Sequence, residues 1–285
     1  MGISGRVIGI SGLGLIGGSL AAAFKKNIPG VTVVGYDTDE NTKQQAISLK
    51  YVDKLEFTFA DLVNICDILY LAAPTSTVLE QIKELHSYSR SLLVTDVCSV
   101  KRPIMKAAST LSPEITFIGG HPMAGSQKTG IKYANPDLFV DSVYLLSPPA
   151  TGQIPKIVLS LIEAIGARHF VLNPDIHDFA VSKISHVPQL LSVALLNEAL
   201  GDETRTSVLN TLAAGGFRDM TRIGESEFTI WRDILAKNKD NIIKDLSRFI
   251  VRLQTYKEAL QIDILQDIEK DFEKARKMRE NLDKQ

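Results

Sequence analysis

Cysteine, net charge of either sign and long apolar runs are all scarce in this chain, and each shortage removes a class of protein. Only two cysteines, Cys66 and Cys98, occur in 285 residues. Neither has a second Cys or a His at metal-ligand spacing, which argues against a disulfide scaffold or a metal module and fits a reducing, cytoplasmic setting. Lys and Arg number 32 against 33 Asp and Glu, a net charge of -1. Phosphate backbones and anionic membranes therefore feel no general attraction, and nucleic acid is not an expected partner. No stretch of about 20 residues is apolar throughout, and no charged segment followed by an apolar core opens the chain, so neither a spanning nor a secreted protein is predicted. The start Met1-Gly2-Ile3-Ser4 is similar to an acylation signal, but Arg6 stands where that motif needs Ser or Thr. Internal repeats and low-complexity linkers are also missing.

What remains is an ordinary globular composition, 45% hydrophobic and 23% charged, in a chain long enough to bury roughly 75% of its unfolded surface. From Arg6 to about Leu172, short β-branched runs alternate with amphipathic stretches. The runs are Val7-Ser11, Val31-Tyr36, Ile68-Ala72, Leu92-Thr95, Thr116-Ile118, Val143-Leu146 and Phe170-Leu172. Helices are predicted between them at Gly18-Lys26, Glu40-Leu49, Thr77-His86, Ile104-Leu111 and Ile154-Ile165. That alternation is the mark of a doubly wound parallel sheet. After Asn173-Pro174 it stops and helical patterns take over, which sets the expected boundary between residues 1–172 and an all-helical part, 173–285. A helix is predicted over Ser182-Leu200. In Asn241-Leu265 the apolar residues Ile242, Leu246, Phe249, Ile250, Leu253, Tyr256, Leu260, Ile264 and Leu265 recur every three to four residues. One helix with one apolar stripe follows, and a second copy of the chain is the expected cover. The stretch from Asp267 onward is nearly all charge and reads as a solvated helix or tail.

Gly12-Leu13-Gly14-Leu15-Ile16-Gly17 is an intact GxGxxG. It follows an apolar strand, opens an Ala-rich helix, and precedes by twenty residues a second strand ending in Asp37, which is the context that gives this pattern meaning. Gly12 permits the turn, Gly14 lets the backbone approach a pyrophosphate, and Gly17 lets the helix pack on the strand. The helix N-terminus offers free N–H donors to phosphate. Asp37 would accept from ribose hydroxyls and repel a 2′-phosphate, so NAD is favoured over NADP. Ala73 and Pro74 end the next parallel run, where small residues let a cofactor lie across the sheet edge.

Three further segments are expected to converge on the crevice at the strands' carboxyl ends: Thr95-Asp96-Val97-Cys98-Ser99-Val100-Lys101, Gly119-Gly120-His121-Pro122-Met123-Ala124-Gly125-Ser126, and Gly215-Gly216-Phe217-Arg218-Asp219-Met220-Thr221-Arg222-Ile223. In order and spacing these segments, with GLGLIG, resemble the prephenate/arogenate dehydrogenases from the N-terminus to about Glu258. The resemblance implies an NAD-dependent oxidative decarboxylation of prephenate to 4-hydroxyphenylpyruvate, on the route to tyrosine; the homodimer is expected from the apolar stripe. It makes His121 the catalytic base, Ser99 a partner for the substrate hydroxyl and the imidazole, and Arg222 the anchor for a substrate carboxylate. Ser126 and Gln127 fall in the substrate segment. Arg218, His186 and Trp231 read equally as ligand contacts or as packing. An imidazole with an ordinary pKa of about 6.5 suits proton transfer near neutrality, and a guanidinium matches a carboxylate at two points. Three departures stand out: Gln127 and Gln189 where many relatives carry Glu and His, and Cys98 where glycine is usual. Arogenate is the rival substrate, and a non-catalytic NAD sensor the rival from another class.

Overall fold

Central strands of a parallel sheet are covered on both faces, so apolar side chains must point both ways from them. The computed structural model, which describes residues 3, 5–126, 128–149, 152–201 and 206–282, places the apolar runs in one eight-stranded sheet. Its strands are β1 (Val7–Ser11), β2 (Thr32–Tyr36), β3 (Lys54–Leu55), β4 (Ile68–Leu71), β5 (Leu92–Asp96), β6 (Ile115–Pro122), β7 (Val143–Ser147) and β8 (Arg168–Val171), in the order β3-β2-β1-β4-β5-β6-β7-β8. The first six are parallel. β7 runs antiparallel to β6 with His121 opposite Leu145, and β8 is parallel to β7, so the last two strands depart from the wholly parallel expectation.

The helices of this half are α1 (Leu15–Asn27), α2 (Glu40–Ser48), α3 (Phe59–Ile65), α4 (Thr75–Leu85), α5 (Arg102–Ala108) and α6 (Lys156–Ala164). One apolar cluster joins Ile8, Ile10 and Tyr70 of the sheet to α1 and α6. The other joins Leu69, Leu71 and Val94 to α3, α4 and α5. Strand order reverses between β1 and β4, and their carboxyl ends carry Gly12 and Ala72–Pro74. A crevice for a ligand belongs at such a switch point.

The helical segments continue as α7 (Pro174–Val181), α8 (Val187–Leu200), α9 (Thr206–Leu212), α10 (Gly215–Thr221), α11 (Phe228–Lys237), α12 (Lys239–Gln261) and α13 (Gln266–Leu282). Asn173 caps α7, accepting from Asp175 N at 2.7 Å. Between α7 and α8 the helix widens into a π turn, Ser182–His186, in which Val187 N donates to Ser182 O. Pro188 explains it: proline supplies no N–H and crowds the carbonyl four residues back, and a widened turn relieves both. The run Pro174–Leu200 is long and apolar enough to cross a membrane by length and composition alone. Its buried residues include His177, Asp178, Ser182, His186, Gln189 and Ser192, a polar face suited to packing within protein.

The chain divides into two compact units, Met1–Lys239 and Asp240–Gln285. Residues 173–239 are tied into the first by Asp178, which accepts from Lys101 N and Arg102 N, and by Asp233, which accepts from Ser76 N at 2.6 Å. In the second unit the expected single helix stops at Gln261. Asp263 takes a left-handed φ of 56° and Ile264 N closes back on Ala259 O, so Ile264 and Leu265 lie in the turn before α13.

Candidate active site

The glycine turn needs its glycines for reasons visible in the backbone. Gly12 has φ +91°, and a Cβ there would sit 2.7 Å from the Ala72 carbonyl; a Cβ on Gly17 would lie 1.8 Å from Gly12 O. At Gly14 a Cβ would meet nothing within 4 Å. Gly14 is also the N-cap of α1 and makes no side-chain cap, so no capping side chain occupies the helix's first amides. Gly12, Gly14, Asp37, Ala73 and Pro74 line one cavity of about 810 Å³. Asp37 is anchored there by two backbone donors, Leu13 N at 2.7 Å and Asp39 N at 2.9 Å. Gln81, also on the wall, donates to Ser11 Oγ and leaves its buried Oε1 without a partner. Uncapped amides, an open glycine and an anchored carboxylate fit a dinucleotide's pyrophosphate and ribose. Leu13, Leu15, Ile16 and Gly17 do not line the cavity. Leu13 is buried in the core and serves through its backbone.

His121 is the penultimate residue of β6, buried, with Nδ1 2.9 Å from Nε2 of His177. His177 Nδ1 in turn lies 2.8 Å from Asp178 Oδ1. The carboxylate of Asp178 is held by Lys101 N at 2.6 Å, Arg102 N at 3.0 Å and Arg102 Nε at 3.3 Å. Beneath this chain, Asp96 accepts from Gly120 N and Cys98 N and pairs with Lys101 Nζ. Both members of that ion pair are buried. Burial holds the His121 imidazole well below its ordinary pKa, and His177, Lys101 and His186 push it further the same way. His177 is lowered chiefly by burial, against the pull of Asp178. Asp178 is lowered in spite of burial, because His177 and the two backbone amides favour its charged form. Ser99 is half-buried and makes no hydrogen bond to His121; among the described residues the partner of the ring is His177. Cys98 is a buried thiol pushed upward by desolvation and by Asp96, the opposite of an activated nucleophile.

A second cavity, of about 310 Å³, gathers Arg222, Ser126, Trp231 and Gln189. Arg222 is exposed on it, at the end of α10. His186 stands edge-on to Trp231, ring centroids 6.0 Å apart. Its Nδ1 accepts from Asn238 Nδ2 at 3.2 Å, and the same amide donates to Asp178 O at 2.7 Å. The His186 Nε2 is buried without a partner, and desolvation lowers its pKa to about 4, Asp178 pulling up and His177 down. Arg218 lines neither cavity; its Nε donates to Ala213 O at 2.9 Å. Gln127 lies outside the described residues.

Sequence reasoning overlooked His177, Asp178, Lys101 and Asp96. Asp96 and Lys101 lay inside a quoted motif, and the adjacent His-Asp pair after Asn173-Pro174 was the available signal for the rest. Among the described residues no group of His, Cys, Asp and Glu could hold a metal.

The family model described as prephenate dehydrogenase, nucleotide-binding domain, matches residues 20–171, and the one described as prephenate dehydrogenase, dimerization domain, matches 173–280. The prephenate dehydrogenase of Bacillus subtilis (strain 168) is 34% identical over 278 residues, covering 96% of this chain and 75% of that protein. The crystal structure of prephenate dehydrogenase from A. aeolicus in complex with hydroxyphenyl propionate and NAD+ superposes with a TM-score of 0.89 at 27% identity, over 99% of this chain and 100% of that one. Synechocystis arogenate dehydrogenase superposes at 0.78 with 29% identity, over 97% and 99%. With adjoining family matches from 20 to 280 and a relative 34% identical over 96% of this chain, the chain belongs to the prephenate dehydrogenase family.

Proposed function

We propose that this protein oxidises and decarboxylates prephenate to 4-hydroxyphenylpyruvate with NAD, in the cytoplasm, as a step toward tyrosine. The observation that carries the reading is a dinucleotide cradle at the β1–β4 switch in the same unit as a buried, uncharged imidazole at the end of β6. Bound NAD supplies the hydride acceptor. The chain's own groups do the rest. His121 Nε2 takes the ring hydroxyl's proton as the C4 hydride leaves, Ser99 contacts that hydroxyl, and Arg222 pairs with a substrate carboxylate. Carbon dioxide then departs from C1, and the electrons of the broken bond complete the aromatic ring. Trp231 and Ser126 shape the substrate side, and His186 Nε2–H is a buried donor without an acceptor. We assign residues 1–172 to the dinucleotide and 173–285 to substrate and dimerisation. Arogenate is the second reading, favoured by the likeness to the Synechocystis enzyme.

Mixing the protein with NAD and either prephenate or arogenate, and following NADH absorbance, separates the two and both from a sensor. His121→Asn should lower kcat by about 10²–10⁴-fold with KM little changed. In the parent, the acid limb of kcat should lie well below pH 6.5, because a depressed pKa keeps the base neutral there. That limb should be missing from the variant. A variant with parental kcat and pH profile would remove His121 from the chemistry.

A further inference from the structure

An imidazole acts as a base only through its unprotonated nitrogen, and in a neutral ring the partner of one nitrogen decides which that is. We propose that His177 and Asp178 are positioning residues that fix the His121 tautomer, leaving Nε2 as the lone pair that receives the substrate proton. This rests on the reading of His121 as the base.

The direction of every hydrogen bond follows from the end of the chain. Asp178 is wholly buried and accepts from Lys101 N, Arg102 N and Arg102 Nε, so it is a carboxylate and can only accept. His177 Nδ1, 2.8 Å away, must therefore carry a proton. A neutral His177 then has its lone pair on Nε2, which faces His121 Nδ1 at 2.9 Å. His121 Nδ1 must donate, and its Nε2 is bare. Among the described residues nothing else bonds to that nitrogen, and it is absent from the fully buried polar atoms that lack partners, so it keeps access to its surroundings.

The charged and titratable groups around the two rings come from every neighbouring element: Asp96 of β5, Lys101 and Arg102 at the start of α5, Asp178 of α7 and His186 of the π turn. Lys101 is tied to Asp96 and to the Val100 carbonyl. It opposes a positive charge on His121 without bonding it. When Nε2 gains a proton, the imidazolium keeps its Nδ1–H bond to His177, whose own N–H points at the carboxylate. The relay thus orients the ring and supports its charged form through one intervening imidazole. The logic is that of a carboxylate holding a catalytic histidine, with a second histidine inserted.

Three variants and one spectrum test this. In protein labelled with ¹⁵N-histidine, the chemical shifts of the two ring nitrogens report which carries the proton, and with five histidines the His121 signals are those lost in His121→Asn. Parent protein should show Nδ1 protonated and Nε2 bare. His177→Phe keeps a ring of similar size and removes the acceptor: His121 should shift toward the Nε2–H tautomer and kcat should drop by about 10²–10³-fold. KM for prephenate and the Kd for NAD should stay within about threefold, a split that loss of packing would not produce. His177→Gln returns an amide oxygen and should recover part of the lost kcat along with the parental tautomer. A parental spectrum with the His121 proton on Nε2 overturns the relay whether or not the His177 variants fold, as does parental kcat in His177→Phe. An undiminished kcat in His121→Asn would instead defeat the base assignment on which the relay depends, so the two failures are distinguishable.

Discussion

At the end of β2 the Asp37 carboxylate accepts from Leu13 N and Asp39 N, so this side chain both faces the cofactor cavity and ties down the glycine turn. Replacing it with Ser should therefore do two things. The kcat/KM for NADP should rise as repulsion of a 2′-phosphate disappears, and that for NAD should fall as the turn loses an anchor. An unchanged ratio would show that Asp37 is not at the ribose. The sequence makes Arg222 the carboxylate anchor and leaves Arg218 open between ligand contact and packing, and their surroundings differ accordingly. Arg222 opens onto the 310 Å³ cavity, whereas Arg218 is engaged by the Ala213 carbonyl. Arg222→Ala should raise KM for prephenate by roughly 10–150-fold, the cost of a lost charge-assisted contact. Steady-state kinetics on Arg218→Ala should show a much smaller rise; equal effects would contradict the geometry.

The turn joining β1 to α1 shows how one element can separate folding from binding. Gly17 and Gly12 are forced by contacts with the chain itself, while Gly14 faces open space. Gly14→Ala should thus leave the unfolding free energy unchanged within about 0.5 kcal/mol, and so Tm nearly unchanged, yet weaken NAD binding in a calorimetric titration. Gly17→Ala should lower Tm, since its Cβ cannot coexist with Gly12 O at 1.8 Å. A Tm loss in Gly14→Ala matching that in Gly17→Ala would contradict this division. Elements that sequence periodicity overlooked were short. β3 has two residues, and α3 has seven, announced only by the box in which Thr58 and Asp61 cap each other. The π turn before Pro188 carried no periodic signal, because it inserts a local widening into an otherwise regular helix.

For the whole molecule, three buried histidines set the response to acid. His121, His177 and His186 all titrate below their unfolded value of about 6.5. Above that value both states are neutral and nothing is lost. As pH falls through the window, the unfolded chain takes up protons that the folded one refuses, so stability must decline. His186 alone, moving from 6.5 to about 4, accounts for roughly 3 kcal/mol. Tm should drop steadily between pH 6.5 and 4, and less steeply in His186→Gln; a flat Tm over that range would mean that these rings are charged in the fold. In the second unit Phe249, Ile250, Leu253 and Leu260 are all exposed. Apolar surface of that extent seeks cover. Light scattering at micromolar concentration should give twice 31.3 kDa, and a single-chain mass would refute a homodimer.

Residue pattern by itself determined seven of the sheet's eight strands, the glycine turn with Asp37, and the membership of His121 and Arg222 in specific motifs, because these depend on local spacing or on segments continuous in the chain. Tertiary structure alone decided that His177, 56 residues after His121, would be its ring partner, and that Asp178 would take its donors from the start of α5. It also decided the reversal of β7 against β6. The physical reason is common to all three. Hydrophobic period reports which face of an element is buried, but not what it is buried against, and hydrogen-bond partners and strand directions are chosen only when distant segments meet.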